Sequence, residues 1–377
     1  MKKRWFLVPL ALLAVPVFAF QAGLFPELGA RPAAEDRLRF LASEAYNPEA
    51  GIFENRRADL VAQMQENMET IPMLRKWFAK RPDARPVSEL PQRQPDLQQF
   101  LSASSETKII WFGHSTFLLN IAGTIVLVDP VFGDTASPVS FMVKRFQPPV
   151  LELEELPPID IILISHDHYD HLDKPSIDFF VDKATQFITP LGVGVHLKRW
   201  GISEHRITER DWWQSHESHG VEFTAAPAQH FSGRDGANNN ETLWASWVVA
   251  GPATRLFFSG DSGYDTHFSQ IGERLGPFDL AFMENGQYDQ AWPYVHMLPP
   301  ETIQAFKDVN ASRLMPVHWG MFELAFHTWY EPAAAVSRLA EQEGIELVTP
   351  MLGELITLDN SLRTTHWWET VAHANPE

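Results

Sequence analysis

Three histidines and three aspartates crowd one short stretch, Ser165-His166-Asp167-His168-Tyr169-Asp170-His171-Leu172-Asp173. His166, His168, Asp170 and His171 stand at i, i+2, i+4 and i+5. In an extended backbone, positions i and i+2 point the same way, so His166 and His168 can converge on one ion. A turn then lets Asp170 and His171 face a second ion beside it. Neutral imidazole and carboxylate suit zinc or another first-row divalent ion. A solvated polar loop is the plainer reading, but so dense a cluster in a chain with 15 histidines argues for a metal site. One loop cannot fill two coordination spheres, so other donors must arrive from elsewhere. His230 closes Phe223-Thr224-Ala225-Ala226-Pro227-Ala228-Gln229, Asp261 follows Leu256-Phe257-Phe258-Ser259-Gly260, and His318 follows Leu314-Met315-Pro316-Val317. Each alone reads as structural. Their shared place at the ends of apolar runs makes them candidates together.

Those runs are the elements that must position the donors. Ile109–Phe112, Thr116–Ile121 and Thr124–Val128 are short apolar stretches broken by Gly113 and by Ala122-Gly123, and read as consecutive strands. Ile159–Ile164 ends at polar Ser165, as a buried strand feeding the metal loop would. Val221–Ala225, Leu243–Val249, Arg255–Phe258, Leu280–Met283 and Leu314–Val317 read as further strands. Pro175–Asp182, Val193–Trp200, Thr266–Leu275, Glu301–Val309 and Pro332–Glu343 read as helices. Strands in runs with interspersed helices favour a layered α/β architecture over an all-β barrel. Residues 23–104 are polar and proline-rich. They read as a linker and N-terminal extension, with one or two amphipathic helices between Arg57 and Lys80, packing on a main domain of residues 105–377.

The bulk composition limits the chemistry. Net charge is −18, and lysine and arginine are scattered. A protein that grips a nucleic-acid backbone needs basic patches, so no nucleic-acid partner is expected. There is no cysteine, which removes disulfides, thiolate zinc sites and thiol nucleophiles together. Aromatics make up 12% of the chain, with 13 Trp and 26 Phe, which fits either an aromatic core or an apolar pocket. At the start, Met1-Lys2-Lys3-Arg4 precedes an uncharged apolar run from Trp5 to Phe20. Residues 1–22 therefore read as a secretory signal or a retained membrane anchor, placing the protein in a bacterial envelope, at the inner membrane or in the periplasm.

The donor order resembles a known family. His-x-His-x-Asp-His, then a His, then Gly-Asp, then a His is the ligand order of metallo-β-lactamase-fold hydrolases. Gly113-His114-Ser115-Thr116, Val128-Asp129-Pro130-Val131-Phe132, Leu156-Pro157-Pro158-Ile159-Asp160, Leu243-Trp244-Ala245-Ser246-Trp247, Gly260-Asp261-Ser262-Gly263-Tyr264 and Pro316-Val317-His318-Trp319-Gly320 look like the N-acylphosphatidylethanolamine-hydrolysing phospholipase D family. The likeness runs over roughly residues 105–358. It implies an αβ/βα sandwich of two mixed sheets with outer helices. It also implies two zinc ions: His166, His168 and His230 on one, Asp170, His171 and His318 on the other, and Asp261 bridging both. By the same resemblance His296, in Tyr294-Val295-His296, would contact the substrate phosphate or assist the leaving group. Asp170, Asp261 and His296 would then be the catalytic residues. Met283-Glu284-Asn285-Gly286-Gln287-Tyr288 departs from the family's less polar stretch, so Glu284, Gln287 and Tyr288 are expected to border the pocket and alter specificity. Asp129 reads either as a carboxylate that orients a donor or as a buried structural residue, and His114 is a weaker candidate of the same kind.

The expected reaction is hydrolysis of a phosphodiester, a phospholipid at a membrane surface being the substrate the resemblance implies, by a hydroxide shared between two ions. No Gly-x-Ser-x-Gly elbow is present to suggest a covalent route. The alternatives are a lactonase or amide hydrolase of the same fold, a non-catalytic metal-binding envelope protein, and a nuclease. A homodimer is compatible with the sequence.

Overall fold

The computed structural model describes residues 25–57, 60, 63–64, 79, 81, 83–235, 239–359, 362 and 365–372. The expected leader or anchor at residues 1–22 lies outside these, as does most of the 57–80 stretch expected to be helical. Among the described residues, no helix is long and apolar enough to cross a membrane.

The short apolar runs pair into two seven-stranded sheets. The first has the order β16-β3-β4-β5-β6-β7-β8, from Leu355–Thr357, Lys108–Trp111, Phe117–Ile121, Thr124–Val128, Ile161–Leu163, Gln186–Pro190 and Ile207–Arg210. The second has the order β15-β14-β13-β12-β11-β10-β9, from Glu346–Leu347, Arg313–Val317, Leu280–Glu284, Arg255–Phe258, Ser246–Ala250, Val221–Ala226 and Ser215–Ser218. Each sheet is mixed in the same way. Pairs are antiparallel from β16 to β5 and from β9 to β12, then parallel from β5 to β8 and from β12 to β15. The strands beside the parallel junctions are buried on both faces, which is why β5 (TIVLV) and β6 (IIL) read as unbroken apolar runs. Ala122-Gly123, both at positive φ, form the two-residue turn that sets the β4–β5 register with Ile121 opposite Thr124.

The sheets pack face to face. Phe117 of the first stacks on Phe282 of the second, with ring centroids 4.2 Å apart and planes 7° from parallel. Around them Leu119, Val126, Leu163, Phe223, Trp247, Phe258 and Val317 form one buried cluster. Helices Lys174–Phe179 and Gly194–Arg199 cover the outside of the first sheet through Ile177 and Leu197. Helices His267–Leu275, Pro299–Asp308 and Glu331–Glu343 cover the second through Phe268, Ile271, Ile303, Phe306 and Val336.

Several elements differ from the sequence reading. Strands β7, β8, β9, β15 and β16 and the helix Trp367–Ala372 were not foreseen, because they are short, partly polar or edge elements whose pattern is set by their neighbours. The strand expected from Leu243 begins only at Ser246. Leu243 and Trp244 instead leave the sheet and pack against Phe40, Tyr46 and Phe53 of the N-terminal segment, whose rings lie 5.1–5.5 Å from one another. Tyr46–Asn47 and Ile52–Phe53 pair there as the antiparallel β1 and β2.

Candidate metal centre

The donors gather at one edge of the sandwich, at the carboxyl ends of the central strands, where open sheets place ligands. The loop after β6 carries His166, His168, Asp170 and His171. His230 follows β10, Asp261 follows β12 and His318 follows β14. His114 lies in the β3–β4 turn. His114 and His318 both adopt positive φ, 51° and 66°, and join through two backbone bonds of 2.9 Å, His318 N–H to His114 O and His114 N–H to Trp319 O. Non-glycine residues held there cost about 1–3 kcal/mol each and persist where the surroundings over-determine them. Gly260 supplies the turn that delivers Asp261: its φ is +55°, and a Cβ would lie 2.7 Å from Ala245 O.

Two sets of donors converge. His166, His168, His230 and Asp261 each offer an atom to one set, and His114, Asp170, His171 and His318 to another, with the atoms of each set within 4.8 Å of one another. In the first set, His168 Nδ1 lies 2.8 Å from His166 Nε2 and 3.2 Å from His230 Nε2. In the second, Asp170 Oδ2 lies 2.8 Å from His114 Nε2, 3.3 Å from His318 Nε2 and 3.5 Å from His171 Nε2. Asp261 Oδ2 stands between them, 3.0 Å from His318 Nε2, 3.2 Å from His171 Nε2, 3.6 Å from His230 Nε2 and 3.8 Å from His166 Nε2. Four donors around an ion at ~2.0–2.1 Å lie about 3.3 Å apart in a tetrahedral sphere, so these spacings are those of ligands. His171 Nε2 and Asp261 Oδ1 are buried with no hydrogen-bond partner, as groups awaiting a cation would be. The donor set fits divalent ions.

The electrostatics agree. Burial holds His166, His168 and His230 below the usual histidine range. At His171 and His318 burial also favours the neutral ring, but Asp261 and Asp170 outweigh it and hold both pKa values well above the ordinary value. Burial works against ionisation of Asp170 and Asp261, yet the neighbouring histidines, His171 foremost, keep both well below the usual carboxylate range. A buried carboxylate pair demands positive charge, and a divalent ion meets that demand while leaving the imidazoles neutral.

Each donor is propped from behind. Asp129 Oδ2 accepts from His171 Nδ1 at 2.7 Å and from Ser165 Oγ at 2.6 Å, which turns His171 Nε2 toward the centre. His230 Nδ1 donates to Val295 O at 3.0 Å, and Asn55 pairs with the His230 backbone in both directions, at 2.6 and 3.1 Å. Asp167, between two donors in sequence, faces away. It accepts from Gly233 N at 2.8 Å, Thr242 Oγ1 at 2.9 Å and His196 Nε2 at 3.2 Å.

Residues 124–319 match the β-lactamase superfamily domain. N-acyl-phosphatidylethanolamine-hydrolyzing phospholipase D 1 of Caenorhabditis elegans is 36% identical over 263 residues, 65% of this chain and 74% of that one. The chain belongs to the metallo-β-lactamase superfamily. An uncharacterized protein of Mycobacterium tuberculosis is 42% identical over 295 residues, 77% of this chain and 78% of its own. A metallo hydrolase of Ignicoccus hospitalis shares the fold, with a TM-score of 0.51 at 16% identity, covering 67% of this chain and 99% of that one. The protein is thus a metal-dependent hydrolase of the metallo-β-lactamase fold.

In this metallo-β-lactamase-fold chain a cavity of about 220 Å³ opens over the donors. His168, Asp170, His230, Asp261, His296 and His318 form its polar floor, and Met64, Phe231, Trp292, Val295 and Leu324 its apolar walls. His296 stacks on His318, with ring centroids 5.1 Å apart at 15°. Gln287 lines the cavity, but two expected neighbours do not. Tyr288 hydrogen-bonds Glu331 through its hydroxyl and lays its ring on His327, 4.8 Å between centroids. Glu284, the last residue of β13, is fully buried behind the histidines and forms no part of the wall. His114, the weakest candidate in the sequence, stands directly on Asp170. Met64, Asn55, Phe231, Trp292 and Leu324 went unnoticed, since nothing local in the sequence marks an apolar wall or a distant prop.

Proposed function

We propose that the chain holds two divalent ions, zinc foremost, and hydrolyses a phosphodiester in a phospholipid. The observation that carries the reading is the position of Asp261 Oδ2, within 3.0–3.8 Å of imidazole nitrogens from both donor sets. One ion would sit among His166, His168, His230 and Asp261, the other among Asp170, His171, His318 and Asp261. When bound, such ions lower the pKa of water from about 15.7 towards about 7 and offset charge on phosphoryl oxygens.

The chain's own residues do the rest. Asp261 spans both sets and fixes their separation. Asp129 and Val295 O orient His171 and His230. His296, at the cavity edge, is placed to hold a proton for the leaving oxygen. Phe231, Trp292, Val295 and Leu324 exclude water beside the reacting centre. An ionic floor under apolar walls suits a substrate with an anionic centre and an apolar body. The 36% identity to a phospholipid-hydrolysing enzyme supports the lipid phosphodiester, and the basic-then-apolar start of the sequence supports work at a membrane.

The test is metal analysis of the purified protein joined to a substrate panel: a chromogenic phosphodiester, phospholipids with different headgroups, a lactone, a β-lactam and RNA. Metal-dependent turnover of phosphodiesters, phospholipids above all, is expected. Turnover of the lactone or β-lactam alone would move the activity to carbonyl chemistry, and turnover of RNA alone would make the protein a nuclease. Either result would overturn the proposal.

A further inference from the structure

Three buried polar atoms without hydrogen-bond partners meet behind the donors: Glu284 Oε2, His296 Nδ1 and His318 Nδ1. Oε2 lies 3.5 Å from His296 Nδ1 and 3.6 Å from His318 Nδ1. The two imidazoles stack nearly parallel, so one carboxylate oxygen faces the same edge of both rings. The rest of Glu284 is tied down. Its Oε1 accepts from Met297 N, its N–H donates to Ser259 Oγ at 2.8 Å, and its carbonyl accepts from Thr302 Oγ1 at 3.3 Å. A buried carboxylate so fixed has little alternative but to accept ring N–H groups.

The geometry points to Glu284 as a positioning residue shared by a metal donor and the cavity histidine: it holds His318 and His296 each by the Nδ1–H, so that His318 Nε2 faces the centre and His296 Nε2 faces the substrate. His318 Nε2 already lies 3.0 Å from Asp261 Oδ2, and His296 borders the cavity. A carboxylate behind a ligating imidazole fixes its tautomer and orientation, and here one carboxylate does so for two rings. This assignment rests on the proposed hydrolytic centre for the role of His296, but not for the tautomers.

The test compares the full-length wild type with Glu284→Gln, Glu284→Asp and His296→Gln. A glutamine amide cannot accept from both rings while keeping the Met297 bond. Glu284→Gln is expected to lower zinc affinity ~10–100-fold by chelator competition and to lower kcat with KM little changed. Glu284→Asp is expected to recover part of both. Adding His296→Gln to Glu284→Gln should cost less in kcat than His296→Gln alone. Histidine ¹⁵N spectra of the zinc-loaded wild type should show His296 and His318 as Nδ1–H imidazoles, and both should lose that signature in Glu284→Gln. Wild-type affinity and kcat in Glu284→Gln would overturn the inference, as would a lowered Tm with unchanged tautomers and kcat. Affinity and spectra are read without substrate, so a failure of the phosphodiester reading shows in turnover alone and stays separable.

Discussion

The loop after β6 and the strand ends facing it build the same centre by opposite means. The loop delivers four donors within six residues and braces itself: His171 N and Leu172 N both bond His168 O, at 3.1 and 2.8 Å. Across the cleft His230, Asp261 and His318 arrive singly, each on its own strand, and each depends on something remote. His230 is held by Asn55, 175 residues away in sequence. Asp261 depends on Gly260 passing beneath Ala245. The His318 carbonyl has Gly286 packed against it, where an added Cβ would lie 2.2 Å away. Donor placement in the loop is set mainly by its own chain, with Asp129 steadying His171 from 42 residues away. Placement at the strand ends is a property of the packed sandwich.

That contrast can be broken at several points. The largest effect belongs to Asp261→Ala, which removes the one donor common to both sets. Turnover should fall to background and both ions should be lost, read by metal analysis and kcat; near-wild-type rate in the metal-free variant would refute the shared role. Gly286→Ala comes next. The new methyl must displace the His318 backbone, at about 1–3 kcal/mol, so Tm should fall and kcat with it, while a wild-type profile would show that this side tolerates movement. Asn55→Ala strips the His230 backbone of both its partners. Zinc affinity should weaken ~10–100-fold with one ion lost before the other, and wild-type affinity would show that His230 does not depend on its distant prop.

The smallest effect is on pH dependence. His267 sits behind the Asp261 turn, its Nε2 3.0 Å from Ser262 Oγ, and burial first of all pushes its pKa down to about 3. The folded ring stays neutral where the unfolded one takes up a proton. Stability from this group is therefore present above about pH 6.5 and lost as pH falls below it, by up to ~1.4 kcal/mol per pH unit. Denaturant midpoints between pH 4 and 7 should fall less steeply in His267→Gln than in the wild type, and parallel slopes would show that His267 does not contribute.

What the sequence revealed follows the same divide. The β6 loop was legible because its donors are consecutive and the apolar run before them ends at Ser165. The strand-end donors were legible only as a group, through their shared place after apolar runs and their order along the chain. The sheets were legible where strands are buried on both faces, as in Thr124–Val128, and not where edge strands such as Ser215–Ser218 (SHES) are half exposed and polar. His114 was undervalued because its place on Asp170 arises from two left-handed residues bonding across the sheets, which no local spacing signals. Asn55, Met64 and the inward course of Glu284 were invisible for a related reason. Their neighbours are set by tertiary packing, as are those of Tyr288, whose hydroxyl meets Glu331 and whose ring meets His327.

The most direct measurement is anomalous diffraction at the zinc edge from crystals of the zinc-loaded protein. Two peaks should flank Asp261 Oδ2, one among His166, His168 and His230, the other among Asp170, His171 and His318. A single peak, or peaks away from Asp261, would contradict the two-ion centre on which the proposed chemistry stands.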